Sequence, residues 1–233
     1  MTPRVAAVVP AKDEADLIAS TVAGLQSLGE IDLVIVVDDG SSDATGAIAA
    51  EAGAIVVRHQ SNLGKAAALE TGVVRLREEE QRVDAPEHVL LFADADLGDS
   101  AANLAPLLAP VLGDTADLAV ANIPRSASSL GSGRVVRLAR AQIEAMTGRR
   151  ISQPLNGMRC LTREAFTLAS PLAPGWGVEA AMVLDLLRAE QRVVEVPIEL
   201  THRRSGRDLK GRLHRAAQLR DVSTALFTRR FLS

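Results

Sequence analysis

The chain has 233 residues, with 26 Lys+Arg against 29 Asp+Glu, 47% hydrophobic and 24% charged residues and a single cysteine. That length can bury a core as one domain, and the composition excludes a largely disordered chain. One cysteine excludes an internal disulfide and a Cys-rich zinc site, so Cys160 reads as a small buried apolar residue in a reducing compartment.

No run reaches the ~18 apolar residues that cross a bilayer. The N-terminus does not read as a signal peptide, because Arg4 precedes only five apolar residues before Pro10 and the charged Lys12-Asp13-Glu14. A cytoplasmic protein is expected. In chain order, continuous Val/Ile/Leu runs at 4–10, 32–40, 54–59 and 88–96 predict strands covered on both faces. Helical stretches at 14–28, 43–52 and 64–80 separate them, the second opened by the polar caps Ser41-Ser42-Asp43. Strand and helix alternating at this spacing give right-handed crossovers and a mostly parallel sheet, an α/β sandwich. A further strand is predicted at 117–123, a small, polar, mobile loop at 126–134 and a helix at 135–146. A Pro/Gly-punctuated stretch fills 154–177. A helix at 178–190, a strand at 192–200 and a basic helix at 208–230 close the chain. No repeat or linker divides it, so one domain is expected, with halves at 1–100 and 101–207 and the basic helix at 208–233.

The net charge of −3 hides an asymmetry. From Arg203 onward nine Lys/Arg face two Asp/Glu, a surplus of seven positive charges that leaves the rest of the chain ten negative. Such a tail suits something anionic, a phosphate-bearing acceptor or the surface of an anionic membrane, or else it is a solvated helix.

Chemistry concentrates where strands end, which is where ligands sit in open α/β sheets. The first strand ends in Pro10-Ala11-Lys12-Asp13-Glu14 and the second in Asp38-Asp39-Gly40-Ser41-Ser42-Asp43. The third leads to Asn62-Leu63-Gly64-Lys65 and the fourth to Asp94-Ala95-Asp96. Adjacent carboxylates at 38 and 39 repel and call for an external partner. In Asp94-Ala95-Asp96, alternation on an extended backbone aims both acids the same way, and two hard oxygen ligands suit Mg²⁺ or Mn²⁺ bridging to a diphosphate. Lys65 adds a compact cation at a helix start that already favours anions. A Walker A loop is excluded, since Ala66 follows Gly64-Lys65 and position 59 is His. A dinucleotide-binding turn is excluded because the first strand runs into PAKDEA, without glycine.

VVPAKDEA, VVDDGSSDAT, NLGKAAAL and DADL, in this order over about residues 5–100, resemble the nucleotide-sugar-binding half of GT-A glycosyltransferases of the family-2 type. The later part is similar to two branches. GSGRV at 131–135, GWGVEAAMVLD at 175–185 and the strand-then-His ending at His202 resemble glucosyl-3-phosphoglycerate synthases. DADL and NGMRCLTREAF at 156–166 resemble polyprenyl- and dolichyl-phosphate sugar synthases. The resemblance implies a GT-A, Rossmann-like sheet. It implies nucleotide-sugar binding by Pro10, Ala11, Glu14, Asp39, Ser41, Lys65, Asp94 and Ala95, and a Mg²⁺ or Mn²⁺ ion held by Asp94, Asp96 and His202. Asp13 stands where many relatives carry Asn.

Glu179 and Asp96 are the candidate catalytic residues. Glu179 would deprotonate an acceptor hydroxyl, or position the donor sugar where the acceptor is already an anionic phosphate. Trp176 could cover a sugar ring or an apolar acceptor, and the glycines around it, Gly177 included, would allow a ligand to approach closely. Arg134 and Arg159 are the favoured guanidinium forks for an acceptor phosphate, with Arg203, Arg204 and Arg207 behind them. Leu209, Leu213, Ala216 and Leu219 form an apolar stripe on the basic helix, suited to a membrane surface, to the body of the protein or to a second subunit in a homodimer.

The expected activity is therefore metal-dependent transfer of a hexosyl group from UDP-glucose or GDP-mannose to a phosphate-bearing acceptor. Polyprenyl phosphate is favoured as the acceptor over a small phosphorylated acid such as 3-phosphoglycerate. No nucleic acid is expected as a partner. A non-catalytic nucleotide-sugar-binding protein and a nucleotidyltransferase are the rival classes. The intact Asp94, Asp96, Lys65 and Glu179 weigh against the first, and the glycine-free PAKDEA loop against the second.

Overall fold

The structure, a computed structural model, describes residues 4–123, 133–199 and 209–231, with side chains of the last segment described over 218–229. A seven-stranded sheet is formed by β1 (Val5–Ala11), β2 (Ile31–Asp38), β3 (Ile55–Arg58), β4 (Val89–Phe92), β5 (Leu118–Asn122), β6 (Arg159–Leu161) and β7 (Val193–Pro197). Its order is β3-β2-β1-β4-β6-β5-β7, parallel throughout except for β6, which runs against both β4 and β5. The helices are α1 (Ile18–Gln26), α2 (Thr45–Glu51), α3 (Lys65–Arg82), α4 (Ala105–Leu112), α5 (Gly133–Thr147), α6 (Arg163–Ala169), α7 (Val178–Arg188) and α8 (Leu209–Phe231). Short 3₁₀ segments cover Gly98–Leu104 and Gly175–Gly177.

The apolar strand runs are buried because each face of the sheet is covered. On β1, Ala6 and Val8 join one layer with Leu69, Val73 and Leu76 of α3, while Val5, Ala7 and Val9 join the other with Ile18, Val22 and Leu25 of α1. Strand alternation thus feeds two cores from one segment.

Three elements escape the sequence reading. β6 is three residues long and begins with a buried arginine inside the Pro/Gly stretch, so it carries no strand signal. α4 holds Pro106 in its first turn, where no N–H bond is lost, and Pro110 in its last. α6 is a seven-residue helix capped by Thr162, whose hydroxyl accepts the Ala165 N–H. Of the predicted mobile loop at 126–134, residues 126–132 lie outside the described residues, as do His202, Arg203, Arg204 and Arg207, while Gly133 and Arg134 open α5. Among the described residues no helix is long and apolar enough to cross a membrane.

Candidate active site

The parallel strands send their carboxyl ends to one edge of the sheet, and the reversed β6 brings its first residue, Arg159, to that same edge opposite Phe92 and Val120. The first two strand-end loops are laced together. Asp13 N–H donates to Ser41 Oγ (3.0 Å), Ser42 N–H to Asp13 Oδ1 (2.7 Å), Glu14 N–H to Thr45 Oγ1 (2.8 Å) and Ala15 N–H to Asp43 Oδ2 (3.2 Å). These bonds hold Asp13 in the left-handed region (φ 55°), which short polar side chains tolerate. The Ser42 N–H and hydroxyl keep the Asp13 carboxyl below its usual range. Pro10 and Glu14 are half-buried on this lacework, and Ala11 accepts the Asp39 N–H (2.8 Å).

The two acids of the Asp38-Asp39 pair have separate internal partners, although the buried Asp38 Oδ2 accepts no hydrogen bond. Asp38 accepts the Ser41 N–H (2.8 Å) and faces Arg58 Nε at 3.5 Å. Asp39 accepts N–H bonds from Leu63 and Gly64 (2.8 Å each) and from or with His59 Nδ1 (2.8 Å), whose Nε2 meets Thr71 Oγ1 at 3.0 Å. Burial pushes the Asp39 carboxyl up, but the Leu63, His59 and Gly64 donors outweigh it and hold the group below the usual carboxylate range. Asp39 is therefore a clasp on the loop that delivers Lys65. His59 closes that clasp and lies outside every motif singled out in the sequence.

Lys65 opens α3 and is the meeting point of three separate motifs. Its Nζ lies 2.7 Å from Asp94 Oδ1 and 3.0 Å from Glu179 Oε1, joining NLGK, DAD and GWGVE at the open edge. Burial works against its charge, but Asp94 and Glu179 prevail and hold the ammonium above the ordinary lysine range. At neutral pH Lys65 is a fixed cation. Asp96, half-buried two residues beyond Asp94, has no hydrogen-bond or ion-pair partner among the described residues. Also among the described residues, no group of three His, Cys, Asp or Glu side chains stands ready for a metal ion. Gly157 closes the wall beside this group: a Cβ there would stand 2.4 Å from Lys65 Nζ and 2.6 Å from Asp94 Oδ1. Its place next to Asn156 in NGMRC was the available sign.

Two expected acceptor contacts have other uses. Arg159 is 1% exposed and spends its fork on the main chain, donating to the carbonyls of Asn156 (2.7 Å), Glu179 (2.8 Å) and Pro154 (2.9 Å). It braces the wall behind Glu179 rather than reaching for a phosphate. Burial lowers its pKa to about 10, against the opposing pull of Glu179 and Asp94. The glycines around Trp176 admit a helix, not a ligand: a Cβ on Gly175 would meet Asp221 Oδ2 at 2.3 Å, and one on Gly177 would meet Ala225 Cβ at 2.5 Å, both on α8. Trp176 itself is 40% exposed, and Arg134 is exposed in the first turn of α5.

The described part of α8 packs on the body. Val222 and Leu226 are fully buried and Arg229 pairs with Asp185 (2.6 Å), whereas Leu219 of the predicted stripe is 41% exposed. The buried face is set by Val222, Ala225 and Leu226, one turn beyond the stripe.

Comparison with known proteins places these features in context. The sequence model described as glycosyl transferase family 2 matches residues 6–169. A glucosyl-3-phosphoglycerate synthase of Mycolicibacterium paratuberculosis is 33% identical over 78% of this chain and 59% of its own length. Glycosyltransferase AglJ of Haloferax volcanii is 31% identical over 85% of this chain and 63% of its own. The chain thus spans about three fifths of the length of these curated relatives. The crystal structure of glucosyl-3-phosphoglycerate synthase from Mycobacterium tuberculosis, in complex with Mn²⁺, uridine diphosphate and phosphoglyceric acid, superposes with a TM-score of 0.76 at 27% identity, covering 97% of this chain and 78% of that one.

Proposed function

The chain belongs to glycosyl transferase family 2, and on that premise we propose that it transfers a glucosyl group from UDP-glucose to a small phosphorylated acid of the phosphoglycerate class. The observation that carries the reading is the Lys65 ammonium held between Asp94 and Glu179 at the open edge of the sheet. The sequence alone favours a polyprenyl phosphate acceptor, on the strength of NGMRC and the basic tail. The first support weakens in three dimensions, because Arg159 is consumed by backbone carbonyls; of the tail, Arg229 is paired with Asp185. The relatives named glucosyl-3-phosphoglycerate synthase, and the solved complex with uridine diphosphate and phosphoglyceric acid, support the small acceptor.

A divalent cation fits the donor set. Asp94 and Asp96 offer hard oxygen ligands at one strand end, and the Asp96 carboxylate carries no protein partner among the described residues. Bound there, with His202 as a further ligand, Mg²⁺ or Mn²⁺ would supply positive charge against the leaving diphosphate. The protein's own groups do the remaining work. The laced loops at 10–15 and 39–45 form the floor for the base and ribose, with Glu14 and Ser41 among them. Lys65 is a preorganised cation for the diphosphate, fixed in place before substrate arrives, so little reorganisation is needed as charge develops. Glu179 holds the hexosyl hydroxyls by accepting their hydrogen bonds, and Arg159 keeps its main chain in register. Arg134 and Trp176 are the side chains offered to the acceptor.

Incubation of the protein with UDP-glucose or GDP-mannose, Mn²⁺ and either phosphoglycerate or a polyprenyl phosphate, with products read by mass spectrometry, tests the reading. A glucosylated phosphoglycerate is expected. A product with the lipid phosphate alone would overturn it.

A further inference from the structure

The segment carrying Asp94 and Asp96 leaves β4 and turns within a few residues into the 3₁₀ segment at Gly98, whose φ is 54°. Both sides of this turn are tied to one side chain. Thr21 of α1, with no exposed surface, donates its hydroxyl to the Ala95 carbonyl (2.8 Å) and accepts the Gly98 N–H (2.8 Å). A hydroxyl has one proton and two lone pairs, so both bonds coexist, and the branched side chain is stiff about χ1. The residues so tied, Ala95 and Gly98, bracket Asp96 and Leu97. That carboxylate has no partner of its own among the described residues, so the main chain on either side sets where it stands. The surroundings are apolar: Ile18, Val22, Leu25, Ala95, Leu97 and Ala101 share one core layer. The Thr21 hydroxyl and that of Ser100, which donates to the Leu97 carbonyl (2.6 Å), are the buried polar groups of this turn, and a bond lost at such a site is not replaced by water without cost.

α1 is also the continuation of the first strand-end loop, since the Glu14 carbonyl accepts the N–H groups of Leu17 and Ile18. It lies hard against the segment after Gly98, where a Cβ on Gly24 would stand 3.1 Å from Ala101 Cβ. Thr21 therefore connects the loop at 10–15 with the loop of the acidic pair, although it belongs to no motif.

We propose that Thr21 is a positioning residue for the acidic pair: its hydroxyl fixes the 95–96 and 97–98 peptides that bracket Asp96 and Leu97, and so fixes where the Asp96 carboxylate meets a divalent cation. This rests on the reading of Asp94 and Asp96 as cation ligands given above. Partners that orient a metal ligand typically contribute 10–100-fold in metal affinity.

Thr21→Val keeps the shape and removes both bonds, whereas Thr21→Ser keeps the hydroxyl. Two readouts besides turnover apply: amide hydrogen exchange over 93–100 in the ligand-free protein, and Mn²⁺ titration in the presence of UDP followed by electron paramagnetic resonance. Thr21→Val is expected to speed exchange at the Gly98 amide and to weaken Mn²⁺ binding by about 10- to 100-fold, with Thr21→Ser close to the parent in both. In kinetics, the Mn²⁺ concentration for half-maximal rate should rise far more than kcat at saturating Mn²⁺ falls. A folded Thr21→Val protein that binds Mn²⁺ as the parent does would overturn the inference and leave the reading of the acidic pair intact. Equal losses in the Val and Ser variants would assign the effect to packing and overturn it too. A parent protein that binds no Mn²⁺ with UDP would overturn both readings. If Thr21→Val does not fold, Thr21→Ala against Thr21→Ser decides by the same measures.

Discussion

Replacing Gly157 by alanine tests whether the Lys65–Asp94–Glu179 geometry is what this edge of the sheet is built to hold. The new methyl carbon would sit 2.4 Å from Lys65 Nζ and 2.6 Å from Asp94 Oδ1. Ordinary contacts between such atoms are about 3.5 Å, so the ammonium and the carboxylate must each retreat by about 1 Å. Both are the ends of side chains, and Gly157 is not among the glycines with positive φ, so the backbone accepts alanine. Stability should therefore stay within about 1 kcal/mol of the parent. Activity should not, because a displacement of about 1 Å in a reacting constellation costs about 10²-fold. That corresponds to about 2.7 kcal/mol of transition-state stabilisation. Steady-state kinetics of transfer from UDP-glucose, run beside urea unfolding, separate the two effects. Gly29→Ala, whose methyl would meet nothing within 4 Å, is the control. A kcat/KM for Gly157→Ala within about threefold of the parent would refute the reasoning, as would an equal loss in the control.

Three further outcomes follow from the same geometry. Arg159→Met removes the donors of three carbonyls and is expected to cost about 2–4 kcal/mol in urea unfolding; Arg159→Lys should recover only part of this, because an ammonium cannot reproduce the fork. Asp39 has a folded pKa below its unfolded value, so its contribution to stability is complete above the ordinary aspartate range and is lost as pH falls through the lower, folded value. Stability measured from neutral pH down to about 2 should fall at the acid end, and Asp39→Asn should flatten that fall while lowering stability at neutral pH. Removal of divalent cations by a chelator is expected to abolish transfer and to shrink the rise in melting temperature that UDP produces, with Mn²⁺ restoring both.

The first half of the fold, and the strand-end placing of Lys65 and Asp94, were legible in the sequence because each signal there is local. Apolar runs become strands buried on both faces, as Ala6 and Val8 on one layer and Val5, Ala7 and Val9 on the other demonstrate. Lys65 and Asp94 stand at strand ends and meet there. The rest was hidden wherever a residue's meaning depends on a distant partner. β6 could not be read because a strand opening with arginine is stable only when three carbonyls, one of them on α7, take up the guanidinium. His59 looked like the end of a strand, and only the fold brings Asp39 to its Nδ1.

The same dependence explains which expectations changed. A glycine signals that something comes close, and a buried arginine that something accepts its hydrogen bonds; neither says whether that something is a ligand or the protein itself. At Gly157 the neighbours are the charged groups of the site, so its small size belongs to the chemistry. At Gly175 and Gly177 the neighbours are Asp221 and Ala225 of α8, so theirs belongs to helix packing. Arg159 falls on the second side by the same criterion, since its three bonds end on main-chain carbonyls. On the proposed reading, the side chains offered to the acceptor are Arg134 and Trp176, which the fold leaves exposed. Substitutions there should move the KM for the acceptor while those at Lys65 and Asp94 move the KM for the donor. That division would be lost if Arg134→Ala raised both constants equally in a two-substrate kinetic matrix.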